Sequence, residues 1–84
     1  MMDFGSYCLN AGSIKMSADR TFEDHAMTYK LFTSYLKELS IVMGNAMNDE
    51  NLEDSEKDLF RYYCTSWANQ IQEKWEDLYE EGSI

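Results

Sequence analysis

Eighty-four residues are too few for two separate hydrophobic cores, so the chain reads as one small domain spanning 1–84. An apolar fraction of 44% with twelve aromatic residues excludes a disordered segment, and no apolar run approaches the roughly 18 to 20 residues that cross a bilayer. A formal charge of −9 argues against direct attraction to DNA, RNA or anionic lipid, and points to partners that are themselves basic.

Residues 1–20 hold two short apolar pieces, Ser6 to Leu9 and Ser13 to Met16, separated by Asn10-Ala11-Gly12. A three-residue connection ending in glycine suits a bulged hairpin, and the expectation here is a short N-terminal arm or β-hairpin. From Thr21 the period changes. Thr21 and Asp24 have the spacing of a capping box. Phe22, Tyr29, Leu36 and Met43 then recur every seven residues, with His25, Phe32, Leu39 and Ala46 interleaved. That stripe predicts one long amphipathic helix over 21–47, ending near Gly44-Asn45.

A polar connection follows, in which Asn51 to Asp54 and Ser55 to Asp58 both have cap-like spacing. Leu59, Phe60, Tyr63, Cys64, Trp67, Ala68, Ile71, Trp75 and Leu78 fall at three- and four-residue steps and predict a second helix within 51–81. The expected fold is therefore mainly α: an antiparallel hairpin of two long amphipathic helices plus the arm. Such a hairpin leaves apolar surface uncovered. Either the arm lies on it or a second copy does, and dimerisation into a four-helix bundle is the favoured solution.

Chemistry-bearing motifs are absent. His25 is the single histidine, and no set of Cys, His or spaced carboxylates completes a metal site around it. The stretch Asp49 to Phe60 imitates a calcium loop but has Asp54 where glycine belongs and Phe60 where glutamate belongs. Cys8 and Cys64 lack the spacing of a disulfide framework or zinc site and read as reduced thiols of a cytoplasmic protein. Neither a nucleophile nor a phosphate-cradling loop can be assigned, so the expectation is a protein that is not an enzyme and takes no cofactor and no metal.

The acids are unevenly placed. Asp49, Glu50, Glu53, Asp54, Glu56 and Asp58 stand against Lys57 alone, and Glu73, Glu76, Asp77, Glu80 and Glu81 against Lys74 alone; outside these clusters the charges cancel. Solubility by itself would be served by interspersed signs. Glu73, Asp77 and Glu80 fall on neighbouring turns of the predicted helix, with roughly 5 to 6 Å between adjacent side-chain origins, a spacing comparable to backbone phosphates. Tyr62 and Tyr79 lie off the apolar stripe and suit the centre of an interface. The candidate partner-binding residues are thus Asp49, Glu50, Glu53, Asp54, Asp58, Tyr62, Glu73, Glu76, Asp77, Tyr79, Glu80 and Glu81. In size, charge and clustered acids the chain looks like the small acidic inhibitors of phages and mobile elements, including DNA-mimic anti-restriction and anti-CRISPR proteins. That likeness carries over no residue. It implies an inhibitor or adaptor in the host cytoplasm, bound to the basic surface of a nucleic-acid-binding protein. The alternative is a structural or regulatory bundle protein that binds through its apolar and aromatic stripe.

Overall fold

Asp3 opens a helix where an arm was expected. In the computed structural model, which describes residues 3–80, its carboxylate accepts the Ser6 N–H at 2.8 Å. That bond satisfies a first-turn donor and holds the Asp3 carboxyl below the usual range. The helix, α1, runs Phe4–Glu23. Its inward side is Tyr7, Ala11, Ala18 and Phe22, all buried, with Phe4, Cys8 and Ile14 packed alongside. These positions follow the helical period, and Gly12 sits inside the helix, not at a turn. No strand occurs among the described residues.

The long helix expected over 21–47 is broken after Glu23. Asp24 caps α1, and His25 takes the left-handed conformation at φ 56°. Its N–H donates to the Phe22 carbonyl (3.1 Å) and that of Ala26 to the Thr21 carbonyl (3.0 Å), the bond pair of a Schellman ending. Thr21 therefore closes a helix where a capping box would open one. Its hydroxyl donates back to the Ser17 carbonyl (2.8 Å) and pairs with the Tyr35 hydroxyl (2.9 Å). The cap that starts the next helix is Thr28, whose oxygen accepts the Leu31 N–H at 3.2 Å. This helix, α2, spans Tyr29–Met47 and passes through the expected stop at Gly44-Asn45 to end at Asn48.

Between Asn48 and Glu53 the chain turns on Asp49, whose Oδ1 accepts the Asn51 N–H at 2.8 Å while Leu52 is buried below. The third helix, α3, is Asp54–Glu80, about 40 Å of rod at 1.5 Å per residue. Neither Asn51 nor Ser55 supplies its cap. Instead Glu56 reaches back to accept the Glu53 N–H at 3.0 Å.

The three helices run up, down and up, in an assembly 45 × 18 × 16 Å, and each touches both others. Tyr7 meets Phe60 with ring centroids 5.8 Å apart and Asp19 meets Lys74, which sets α1 parallel to α3. Phe32 stacks on Trp75 at 4.8 Å while Met47 meets Arg61 at the other end, which sets α2 antiparallel to α3. Phe60, Leu39 and Ile71 are fully buried between them. Ala11 and Ala18, fully covered, let α1 lie close against the α2/α3 pair, so part of the expected bare surface is covered by the chain's own first helix. No helix among the described residues is long and apolar enough to cross a membrane.

Candidate protein-binding surface

The two acid clusters lie at opposite ends of α3. Asp58 and Glu73 are separated by fifteen residues, about 22 Å along the axis. The intervening turns hold no acid. On a helical period Asp58, Tyr62, Asn69, Glu73, Glu76 and Glu80 share the outward side, with Asp77 on one flank; all are exposed. The carboxylates of α3 thus form two acidic ends joined by an acid-free, aromatic middle. Tyr62, 67% exposed, occupies that middle beside a shallow hollow that also involves Asp58, Arg61 and Asn69.

The first cluster is tied into the fold. Asp49 is half-buried and accepts three hydrogen bonds, from the Asn51 backbone and side-chain amide and from the Tyr7 hydroxyl at 2.8 Å. Those donors, the Asn51 N–H foremost, hold its carboxyl below the usual range, and the same contact pushes the Tyr7 phenol up. Glu56 caps α3, and Asp54 and Glu56 stand in its first turn, where the helix dipole favours negative charge. Asp58 lies 3.7 Å from Arg61 in an exposed ion pair. Glu50, Glu53 and Asp54 remain exposed and outside any ion pair among the described residues.

The second cluster is different. Lys74, its one cation by sequence, turns away to Asp19 of α1 at 2.8 Å and lies over the Phe22 ring at 5.9 Å. Lys15 joins it on Asp19 at 2.6 Å. Burial by itself would raise the Asp19 carboxyl, but the two ammonium groups prevail and hold it low. Glu73, Glu76, Asp77 and Glu80 are left with no ion pair among the described residues; Glu76 accepts only a 3.5 Å contact from Gln72. Asp77 and Glu80 stand in the last turn of α3, where the dipole disfavours anions, and Glu73 and Glu76 lie a turn further in. Tyr79 is 69% exposed among them. Glu81 lies outside the described residues.

His25, expected on the apolar stripe, is an exposed turn residue. Cys64 is buried, and burial above all, with Cys8 nearby, pushes its thiol up to about 11. Cys8, half-buried, is also raised by desolvation. Neither has the electropositive surroundings of a reactive cysteine. Sequence reasoning missed the Asp19–Lys74 and Tyr7–Asp49 contacts, which join residues 55 and 42 positions apart and leave no local trace. Comparison with protein-family models, curated proteins and solved structures found no match.

Proposed function

We propose that this chain is a non-enzymatic inhibitor or adaptor that inserts the carboxylates at the C-terminal end of α3 into a basic groove of a nucleic-acid-binding protein, in the manner of a DNA mimic. One observation carries the reading: Glu73, Glu76, Asp77 and Glu80 are exposed and have no ion pair among the described residues, Asp77 and Glu80 in the last turn of α3 where the dipole disfavours them, while the adjacent Lys74 is committed to Asp19. Carboxylates that neither cap nor pair contribute nothing to the fold, and their field extends about a Debye length, roughly 8 Å at physiological salt. Association would be fast and salt-sensitive, and inhibition would follow from occupying the groove. Glu50, Glu53 and Asp54 at the far end offer only a minor second contact, with Tyr62 between.

The test uses the full chain and a variant reversed at Glu73, Glu76, Asp77 and Glu80 as paired baits in a cell lysate. The wild type is expected to capture protein that binds nucleic acid, to compete with that nucleic acid, and to release it as salt rises. Equal capture by the reversed variant overturns the reading. A second reading rests on exposed apolar groups, Leu9 and Met16 on one side of α1 (74% and 72%) together with Tyr62 and Tyr79. In it the chain is a structural or regulatory bundle protein. Capture that survives salt but fails after Tyr62→Ala favours that second reading.

A further inference from the structure

α1 fills one of the two grooves that run along the α2/α3 pair, and the other stays open. This open groove is a hollow of about 290 Å³ with Leu36, Met43, Cys64 and Ala68 on its floor and Ser40 and Gln72 on its rim; no charged residue lines it. Its two flanks carry opposite charge. On α2, Lys30 and Lys37 are exposed on one side seven residues apart, and neither has an ion-pair partner among the described residues. On α3, Glu76 follows Gln72 by one turn and Glu73 follows Asn69, continuing the groove rim into acid. The antiparallel register set by Phe32 on Trp75 and Met47 on Arg61 puts Lys30 level with Glu76, and Lys37 within a turn of Glu73. Tyr29 and Tyr79, 67% and 69% exposed, stand at one common level at the same end.

We propose that this face binds a second copy of the chain about a two-fold axis running along the helices, so that α2 of each copy lies on α3 of the other. Charge decides both the occupant and the axis. Rotation about the helix direction keeps every residue at its height and exchanges the two helices, so Lys30 and Lys37 face the partner's acids and Tyr29 faces the partner's Tyr79. A two-fold perpendicular to the helices would set α2 on α2 and α3 on α3 with heights reversed, so that neither lysine would meet the partner's Glu73 or Glu76. The uncharged apolar floor closes on its own copy at the centre, and the contact is self-complementary, as closed dimers require. Four helices then surround the joint groove, with one α1 on each outer side. The inference does not rest on the inhibitor reading, although it draws on two of the same carboxylates, Glu73 and Glu76.

Sedimentation of the full chain at low ionic strength provides the test. The wild type is expected to show a concentration-dependent dimer. K30E/K37E and E73K/E76K are each expected to weaken it roughly tenfold or more. The four-fold swap, and an equimolar mixture of the two double variants, are expected to restore it. A monomeric mass at every concentration, a dimer indifferent to both reversals, or a swap that stays monomeric with helical circular dichroism intact overturns the proposal. Should a reversal disturb folding, zero-length carbodiimide coupling in a mixed heavy- and light-isotope dimer of the wild type still decides. Lys30–Glu76 links between isotopically different chains support the proposal, and their absence from a dimer that otherwise couples overturns it.

Discussion

The two ends of α3 carry similar numbers of carboxylates and stand in opposite relation to the fold. At the N-terminal end, Asp49 shapes the loop and holds the Tyr7 hydroxyl, Glu56 caps the helix, and the dipole favours the acids of the first turn. At the C-terminal end the dipole opposes Glu80, no ion pair among the described residues compensates Glu76 or Asp77, and Lys74 serves another helix. An acid cluster is thus weak grounds for a binding surface where folding already accounts for it, and stronger grounds where folding does not. The difference narrows the candidate site from both clusters to the last two turns of α3.

Four measurements break or sharpen that contrast. The largest effect is expected on association: reversing Glu73, Glu76, Asp77 and Glu80 should slow capture of a basic partner by two orders of magnitude or thereabouts, within the range that steering supplies, while the thermal midpoint holds or rises. A midpoint that falls at a concentration where the chain is monomeric would mean these acids are structural after all. Next, His25→Gly should stabilise the protein by about 1 kcal/mol in denaturant unfolding, because glycine takes the left-handed conformation without the side-chain penalty. A loss there would show that the imidazole makes a contact of its own. Third, Tyr7→Phe and Asp49→Asn should each lower the midpoint, and the double variant should be less than additive, since either change breaks the same bond. Additive losses would separate the two residues.

The smallest effect concerns acid. A carboxyl held low in the folded state stabilises the protein above its unfolded pKa, and that contribution is lost as pH falls through the folded value. Asp3, Asp19 and Asp49 are all held low, so their shared contribution should be level from neutral pH to about 4 and decline below it. Unfolding curves at stepped pH check this. Asp49→Asn should flatten the decline.

Much of α3 was legible because its inward side is built from large apolar residues at helical steps, and those steps remain visible beside any number of surface acids. The exposed positions of Tyr62 and Tyr79 were legible for the same reason. α1 was not, because the residues that let it pack are Ala11 and Ala18. Small side chains give little periodic signal, and Gly5 and Gly12 imitate turn punctuation. The break between α1 and α2 was hidden differently. Phe22 and Tyr29 stand on opposite sides of it at a seven-residue interval, and the left-handed residue is a histidine where glycine would have marked the ending. The separate fates of the two acid clusters depend on Asp19, Lys74, Tyr7 and Asp49 meeting across helices, which local pattern does not encode.

One comparison reads the central claim directly: the association rate of a captured basic partner, by stopped flow at several salt concentrations, with two variants of equal charge change. One is Glu73, Glu76 and Glu80 to Gln with Asp77→Asn; the other is Glu50 and Glu53 to Gln with Asp54 and Asp58 to Asn. K30E/K37E, which leaves every α3 carboxylate in place, controls for self-association. The rate and its salt dependence should collapse for the first variant and shift little for the second. Equal losses in both, or a loss confined to the second, would contradict the account.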